Sequence, residues 1–260
     1  MIHPSAVIDK RAELADDVDV GPHVVIEGPV RVGRGTRLLA HAYLCGHTTL
    51  GEACVIHPGA VVGNVPQDRD YAGERTYCVI GDRTIIREGA SVHRGTGAET
   101  STIIGNDCML MATAHVGHNC RLGEGVIVTN GSMLGGHVSV GDGANVSGLV
   151  AVHQFVRVGE LVMIAGLTRL TMDVPPYFLC SGDSTCVGIN AVGLRRAGMP
   201  ADQIQDVKQA YRILYRSGLP FREAVARLGE RVTTDAGRRI IAFVRAESKR
   251  GYCAGARRRN

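Results

Sequence analysis

The sequence predicts a mainly β protein, in which a parallel β-helix of hexapeptide repeats is followed by a C-terminal α-helical domain. Three observations predict this fold. An aliphatic residue recurs every six residues from Ile2 to Leu170, a small or β-branched residue follows four positions later, and bulky aromatic residues are scarce. Of the 29 positions in the six-residue phase, 26 are Ile, Leu or Val, and the exceptions are Asp68, Glu74 and Ala98.

A hexapeptide repeat of this kind is typical of a β-helix, in which six residues form one flat side and three sides form one coil of 18 residues. Successive coils stack at the usual strand spacing of about 4.8 Å. Hexapeptide coils wind left-handed as a class, against the usual right-handed crossover, although the sequence itself does not show the hand. We therefore expect a left-handed parallel β-helix over residues 1–177, with an interior too narrow for Trp, which is absent.

The column of small residues contains four of the eight cysteines, namely Cys54, Cys78, Cys108 and Cys120. We interpret them as small core residues, because free cysteine packs well in apolar interiors. The chain has no CxxC spacing, which favours a reducing compartment over a disulfide framework. Neither a signal peptide nor a run of 18 apolar residues is visible, so a soluble cytoplasmic protein is expected.

Two segments interrupt the repeat and are expected to leave the coil as loops. The first, GNVPQDRDYAGERTYC, defines an excursion loop near residues 63–78, and the second, GTGAETST, follows Arg94. Such loops often carry function. After Leu170 the repeat ends, and Pro175 and Pro176 mark the break.

Beyond the prolines the hydrophobic period becomes helical. The segments PADQIQDVKQAYRILYRSG, PFREAVARLGER and TTDAGRRIIAFVRAESKRG predict three helices in a C-terminal domain spanning residues 190–260. Residues 190–260 hold 16 Lys and Arg against 6 Asp and Glu, a balance of +10, which leaves −6 for residues 1–189. The basic domain is a candidate docking surface for an acidic partner, and no nucleic-acid partner is expected.

The stretch HVGHNC, residues 115–120, belongs to an edge where polar residues converge. A coil period of 18 residues brings residues 117–119, 135–137 and 153–155 to one edge, within about 10 Å of each other. Four of the ten histidines lie there: His115, His118, His137 and His153. Histidine can accept a proton near neutral pH, and a backbone N–H at Gly136 could approach an oxyanion closely. This combination favours acyl transfer.

A metal site and a non-catalytic scaffold are the alternatives at this edge. Zinc needs three or four ligands around one point, and hexapeptide metalloenzymes can assemble three histidines. Here no carboxylate or free cysteine joins His115 and His118, since Cys120 points inward in this phase. No bound metal is therefore predicted, although a hexapeptide-repeat metalloenzyme and a plain solenoid scaffold stay open as alternatives.

In combination, seven motifs resemble one family over nearly the whole chain. In order they are GNVPQDRDYAGE, IREGASVHRGT, MATAHVGHNC, GGHVSV, AVHQF, DVPPY and GINAVGLRR. The chain resembles the UDP-N-acetylglucosamine O-acyltransferases. The resemblance implies a cytoplasmic homotrimer that moves a 3-hydroxyacyl group from the phosphopantetheine thioester of acyl carrier protein to the 3-hydroxyl of UDP-N-acetylglucosamine. This is the first step of lipid A synthesis and needs no further cofactor, and the basic helices would receive the acidic carrier.

The resemblance also assigns roles to individual residues. It places the catalytic base on His118, the backbone oxyanion donor on Gly136, and the residue that orients the base on Asn119. Its substrate-binding residues fall on Gln67, Asp68, His115, His137, His153, Gln154, Gly166, Asn190 and Arg196.

Within that set the resemblance implies three separate tasks. Gln67 and Asp68 belong to the loop that reaches the site of a neighbouring subunit. Gly166 lies where the family limits the length of the acyl chain, and Asn190 and Arg196 lie where it holds the uridine diphosphate.

Four positions depart from the family pattern. Asn119 replaces an Asp and supplies no charge to an imidazolium. Asp70 replaces a lysine, while Val192 and Ala197 replace an acidic and a basic residue of the nucleotide site. A sister family that N-acylates an amino sugar nucleotide carries Asn after its histidine, so N-acylation is a further alternative. That sister has an added N-terminal domain, whereas the repeat here begins at Ile2, and this favours the O-acyltransferase.

Overall fold

A computed structural model describes residues 1–256 as a left-handed parallel β-helix followed by four helices. Residues 257–260, which end the predicted helical domain, lie outside the described residues. The strands are β1 (Val7–Ile8), β2 (Glu13–Leu14), β3 (Asp19–Val20), β4 (Val25–Glu27), β5 (Arg31–Val32), β6 (Arg37–Leu38), β7 (Tyr43–Cys45), β8 (His47–Leu50), β9 (Val55–Ile56), β10 (Val61–Asn64), β11 (Tyr77–Ile80), β12 (Ile85–Ile86), β13 (Ser91–His93), β14 (Ser101–Ile104), β15 (Met109–Leu110), β16 (His115–Val116), β17 (Arg121–Leu122), β18 (Ile127–Val128), β19 (Met133–Leu134), β20 (Ser139–Val140), β21 (Asn145–Val146), β22 (Ala151–Val152), β23 (Arg157–Val158), β24 (Met163–Ile164), β25 (Arg169–Leu170), β26 (Phe178–Ser181), β27 (Thr185–Ile189) and β28 (Ala254–Gly255). The helices are α1 (Ala191–Arg196), α2 (Ala201–Arg216), α3 (Phe221–Arg231) and α4 (Asp235–Arg245).

The strands form three sheets, and each sheet is one side of the coil. Their orders are β1-β4-β7-β10-β13-β16-β19-β22-β25, then β2-β5-β8-β11-β14-β17-β20-β23, then β3-β6-β9-β12-β15-β18-β21-β24-β26-β27-β28. His115 pairs with Met133 and Met133 pairs with Ala151, so partners on successive coils lie 18 residues apart. The predicted coil period is thus confirmed in the strand register.

The six-residue phase places its aliphatic residues inside the coil. Leu44, Val62 and Val116 are fully buried, as the pattern predicts. The small residues of the other column do more than fill space, because many donate to a carbonyl of the next coil. The Sγ atom of Cys120, for example, lies 3.1 Å from the carbonyl oxygen of Gly135. These bonds satisfy backbone groups that would otherwise be buried without a partner.

Two loops leave the coil at the places where the repeat is interrupted. The excursion loop runs between β10 and β11, and a shorter loop, residues 94–100, runs between β13 and β14. Arg94 supports the excursion loop, since its Nη1 donates to the Gly63 carbonyl at 3.0 Å and its Nη2 donates to the Tyr71 hydroxyl at 2.9 Å. Because of the shorter loop, Val92 pairs with Val116, which lies 24 residues later.

The helical region packs against the last coils. Helices α2, α3 and α4 occupy the three segments that the sequence predicts, whereas α1 was not predicted. Buried Asp173 joins the two regions: its Oδ2 accepts from Arg157 Nε at 2.7 Å, and Arg157 also donates to the Tyr252 hydroxyl at 3.0 Å. The division into domains of residues 1–177 and 190–260 stays a prediction. Within residues 1–256, no helix combines the length and apolar character that crossing a membrane would require.

Candidate active site

The candidate site lies along the edge that follows the first sheet, where the coil turns after β16. His115 is the first residue of strand β16, and His118 and Asn119 form the corner that follows the strand. Asn119 has φ +57°, a left-handed conformation that Asn tolerates better than most residues. The tight corner holds the His118 side chain at the edge of the coil, where it is 14% exposed.

Both ring nitrogens of His118 face polar atoms. Nδ1 lies 2.9 Å from Oδ1 of Asn119, and Nε2 lies 3.6 Å from Oδ2 of Asp68. The His137 ring packs edge-on against the His118 ring, with 5.2 Å between centroids. The imidazole therefore has one fixed hydrogen-bond partner and one nitrogen that faces the cavity.

The orientation of the Asn119 amide follows from its other contacts. Its Oδ1 also accepts from the backbone N–H of Thr96 at 2.9 Å, and its Nδ2 donates to the Thr96 carbonyl at 3.3 Å. Because only this orientation satisfies both Thr96 groups, the amide oxygen faces His118. In the neutral ring Nδ1 of His118 then carries the proton, and Nε2 is the proton acceptor.

Gly136 lies directly against the imidazole. A Cβ atom at this position would overlap Nε2 and Cε1 of His118, so a larger residue would require the imidazole to move. The N–H of Gly136 donates to no atom of residues 1–256, whereas its carbonyl accepts from Phe155. A free backbone donor beside a proton acceptor can stabilise an oxyanion next to a general base.

A cavity of about 390 Å³ surrounds this pair. Its lining residues come from the excursion loop and the coil edge, and none of the described ones belongs to a helix: Gln67, His93, His115, Gly117, His118, Met133, Leu134, Gly135, Gly136, Ala151, Val152, His153 and Gln154. The 18-residue stacking correctly predicts that His118, Gly136 and Gln154 lie together.

His93 lines the cavity as well, although we did not predict it as a site residue. Its Nδ1 accepts from the Gln67 N–H at 3.3 Å, and its ring lies 4.8 Å from that of His115. Burial first, and then the neighbouring histidines, lower the pKa of His93 to about 4. Burial and His118 likewise lower the pKa of His115, whose Nδ1 lies 2.8 Å from the Ser91 hydroxyl.

His137 lies on the same edge of the coil, between His118 and Phe155. Its ring stacks on Phe155 at 4.6 Å between centroids, and the Nζ atom of Lys249 lies 4.6 Å from the Phe155 ring centroid. Burial, then His118 and Lys249, lower the pKa of His137. Lys249 thus reaches the edge from the C-terminal segment, which no sequence pattern indicated.

The resemblance implies that the excursion loop reaches the site of a neighbouring subunit, and this stays a prediction. Within the chain, Gln67 and Asp68 both contact histidines. The physical reason is the sheet order: β10 pairs with β13, and β13 pairs with β16, so the loop leaves the coil beside His93 and His115. Backbone N–H donation from Asp70 lowers the pKa of Asp68.

Six predicted site residues are absent from the cavity lining: Asn119, Asp68 and His137 contact His118 beside it, and Asn190, Arg196 and Gly166 lie apart from it. Asn190 caps α1, where its Oδ1 accepts from the Gly193 N–H at 3.0 Å and its Nδ2 donates to the Leu161 carbonyl at 2.9 Å. Arg196 is exposed at the end of α1, and Gly166 is exposed on a coil corner near Gly148. Of the residues described, no group of three His, Cys, Asp or Glu is arranged to hold a metal ion.

Two family models match parts of the chain. The model described as UDP N-acetylglucosamine O-acyltransferase, domain 2, matches residues 173–253. The model described as bacterial transferase hexapeptide, six repeats, matches residues 101–136.

Similar proteins match nearly the whole chain. An acyl-(acyl-carrier-protein)–UDP-N-acetylglucosamine O-acyltransferase of Syntrophobacter fumaroxidans is 41% identical over 96% of this chain and 98% of its own. The enzyme of the same name from Chlamydia caviae is 45% identical over 98% of this chain and 92% of its own. A solved UDP-N-acetylglucosamine acyltransferase from Bacteroides fragilis superposes with a TM-score of 0.93 at 38% identity, covering 97% of this chain and 99% of its own.

Proposed function

The chain belongs to the UDP-N-acetylglucosamine O-acyltransferase family, and we propose that the histidine edge is where it transfers the acyl group. The enzyme moves an acyl group from acyl carrier protein to UDP-N-acetylglucosamine, in lipid A biosynthesis. One observation carries the assignment of the site: Nε2 of His118 faces the cavity beside Gly136, whose N–H donates to no atom of residues 1–256.

The mechanism follows from these two groups. Nε2 of His118 removes the proton from the 3-hydroxyl of the sugar as that oxygen attacks the thioester carbonyl. The carbonyl oxygen becomes an oxyanion, and the Gly136 N–H stabilises it. The tetrahedral intermediate then collapses, the C–S bond breaks, and the phosphopantetheine thiolate leaves and takes the proton from the imidazolium. Asn119 holds Nδ1 but supplies no negative charge to the imidazolium. The carboxylate of Asp68, 3.6 Å from Nε2, supplies that charge instead.

Substrate contacts are assigned on the same edge. His115, His137, His153 and Gln154 would line the path of the sugar and pantetheine, while Gln67 and Asp68 close it from the excursion loop. Gly166 would limit the length of a 3-hydroxyacyl chain, and Asn190 and Arg196 would hold the uridine diphosphate. The transfer is assigned to the cytoplasm as the first step of lipid A synthesis.

A homotrimer would complete the site. Asn190 and Arg196 lie on α1, outside the cavity of their own chain, and two apolar side chains on consecutive coils, Leu149 and Leu167, are 63% and 77% exposed. Burial of these leucines against a second copy would stabilise an assembly in which α1 of one subunit approaches the cavity of the next. Sedimentation of the wild-type protein should give a trimer, and Leu167→Arg should dissociate it and abolish activity. A fully active monomer would refute this assembly.

A radiolabelled transfer assay tests the proposed function. The donor is 3-hydroxyacyl carrier protein, and the acceptors are UDP-N-acetylglucosamine and its 3-amino analogue. Wild-type protein should acylate UDP-N-acetylglucosamine, and His118→Ala should lose most of that rate. His23→Ala is the matched control, because His23 is exposed on another corner of the coil and stacks only on His41. Acylation of the 3-amino analogue alone would show that the acceptor is an amine.

A further inference from the structure

Glu74 occupies a position where the six-residue phase would place an aliphatic residue, and its carboxylate joins the two loops that leave the coil. Oε1 accepts from the Gly97 N–H at 2.7 Å, and Oε2 accepts from the Ala72 N–H at 2.8 Å. These contacts tie the excursion loop to the loop of residues 94–100. Donation by backbone N–H groups, first that of Glu74 itself and then that of Gly97, lowers the pKa of this carboxyl.

The shorter loop leads from Glu74 to the base. Gly97 follows Thr96, whose backbone N–H and carbonyl both bond to the Asn119 side chain, and Asn119 holds Nδ1 of His118. The Thr100 hydroxyl lies 2.7 Å from the Gly97 carbonyl and 2.8 Å from the Thr96 carbonyl, so this loop is internally braced. Displacement of Gly97 would therefore move Thr96 and the amide that fixes the imidazole.

The excursion loop leads from Glu74 to the other side of the base. The Tyr71 hydroxyl donates to the Glu74 carbonyl at 3.1 Å, and the Tyr71 N–H donates to the Asp68 carbonyl at 3.3 Å. Asp68 in turn faces Nε2 of His118. Asn119, which the shorter loop holds, thus faces one nitrogen of the imidazole, Asp68 of the excursion loop faces the other, and the two loops meet at Glu74.

We propose that Glu74 is a positioning residue for acyl transfer: its carboxylate holds both loops so that Asn119 and Asp68 stay aligned with His118. This inference rests on the proposed role of His118 as the base. Glu74 touches neither the cavity nor the reacting atoms, so it acts only through the two loops. A neutral amide at this position could accept from one of the two N–H groups and would present its own NH₂ group to the other.

Glu99, in the loop of residues 94–100, provides a matched control. Its Oε1 accepts from Arg75 Nε at 2.8 Å, and its Oε2 accepts from the Tyr77 hydroxyl at 2.6 Å. Glu99 therefore also braces the loops, but it bonds neither to Gly97 nor to Ala72. A purely structural role for Glu74 predicts equal effects of Glu74→Gln and Glu99→Gln.

The test compares both variants with wild type in steady-state kinetics and by ¹⁵N NMR of histidine. Glu74→Gln should lower kcat by between about tenfold and 100-fold, with KM for UDP-N-acetylglucosamine changed less than about threefold, since misalignment affects the transition state. The His118 ring should then show a mixture of tautomers instead of the Nδ1–H form alone. Glu99→Gln should keep kcat within about twofold of wild type and keep a single tautomer.

Wild-type kcat with a single tautomer in Glu74→Gln would overturn the proposal, and so would equal losses in both variants. If Glu74→Gln does not fold, Glu74→Asp takes its place, because the shorter carboxylate keeps its charge but reaches only one N–H; unchanged kcat in that variant would also overturn it. His118→Ala is measured in parallel. Full activity of His118→Ala would disprove the proposed base, whereas an inactive His118→Ala with a normal Glu74→Gln disproves only the role of Glu74.

Discussion

The contact between His118 and Gly136 is the tightest constraint in the site. A Cβ atom of residue 136 would lie 2.4 Å from Nε2 of His118, so the imidazole occupies the space that a side chain would need. General base catalysis contributes on the order of 10²–10⁴ in rate and one oxyanion donor about 10²–10³, and both depend on the placement of this ring beside Gly136.

Substitution of Gly136 by alanine should therefore affect catalysis more than folding. The added Cβ would displace the His118 ring, and we expect kcat to fall at least about 100-fold with a loss of about 1–3 kcal/mol in unfolding free energy. Gly148→Ala is the control, because a Cβ there would meet its nearest atom, the Asn130 carbonyl oxygen, at an ordinary 3.6 Å. Steady-state kinetics and urea unfolding of both variants measure the difference; equal kcat values would contradict the tight contact.

The buried ring of His93 predicts a pH dependence of stability. Its pKa of about 4, below the ordinary 6.5, means that the unfolded chain binds the proton more readily. Stability from this group is complete above about pH 6.5 and is lost as pH falls toward 4, by at most about 3 kcal/mol.

Urea unfolding at pH 7.0 and pH 4.5 measures that loss. His93→Asn removes the titrating group while its Oδ1 can still accept from the Gln67 N–H, so this variant should lose less stability on acidification than wild type. An identical loss in both proteins would show that other groups govern the acid sensitivity.

The coil period alone predicts some of the residues that lie near His118, but not all of them. It places Gly136 and Gln154 beside His118 because no insertion separates those coils. His93 was not predicted because the loop of residues 94–100 lengthens the spacing between successive coils from 18 to 24 residues. Pairing Val92 with Val116 across that loop would have placed His93 at the site. Lys249 could not be predicted, since its contact depends on how the C-terminal segment folds back.

At the scale of elements, the column of small residues stabilises the stacking of coils. Ser132 is buried, its hydroxyl donates to the Ser147 carbonyl at 2.6 Å, and it accepts from the Val150 N–H at 3.1 Å. The pattern of small residues predicts their burial, but it gives no sign of these bonds, because alanine and serine occupy the same column.

Ser132→Ala should cost about 1–3 kcal/mol of unfolding free energy, because it leaves two buried backbone groups without a partner. Ser139→Ala, on the outward face of β20, should cost less than about 0.5 kcal/mol. Chemical denaturation of the two variants makes the comparison. A loss at Ser132 no greater than that at Ser139 would mean that the column acts by size alone.

Helix α1 could not be predicted from the hydrophobic pattern. It has six residues, too few for a hydrophobic period, and it begins at Ala191, directly after Asn190, whose side chain caps it. The resemblance assigns Asn190 to the nucleotide, whereas both ends of its amide are occupied within the chain. The three longer helices were predictable because each repeats its apolar face over several turns.

Over the whole molecule, the net charge differs between the two regions, being −6 for residues 1–189 and +10 for residues 190–260. Four arginines, Arg212 and Arg216 of α2 with Arg227 and Arg231 of α3, line a cleft of about 680 Å³. Within residues 1–256 none of the four forms an ion pair with a carboxylate. Unpaired guanidinium groups suit the acidic surface expected of a carrier protein.

Arg227→Glu should raise KM for acyl carrier protein by about tenfold, while the rate with a free acyl-phosphopantetheine thioester stays unchanged. The effect in wild type should weaken with added salt, because surface charges are screened. Lys10→Glu makes the same kind of charge reversal on the first coil, at the other end of the molecule, and should leave both donors unaffected. If Arg227→Glu lowers the rate equally with both donors, the substitution does not act through binding of the carrier protein.

The repeat does not predict the proposed homotrimer. A period specifies which residues share an edge of one chain, but the partner of an exposed edge depends on surface shape. Gln67 and Asp68 contact histidines of their own chain, and their approach to a neighbouring subunit stays a prediction. The fold, in contrast, could be predicted from Ile2 to Leu170, since each coil repeats the same burial pattern.

The central claim is that His118 removes the proton during transfer, and a single-turnover measurement of His118→Asn tests it most directly. Enzyme is mixed in excess with UDP-N-acetylglucosamine and labelled acyl carrier protein, and the transfer rate constant is compared with those of wild type and His23→Asn. The account predicts a loss of about 10²–10⁴ in that rate constant for His118→Asn, with binding of both substrates unchanged and His23→Asn equal to wild type. A rate constant for His118→Asn within tenfold of wild type would contradict it.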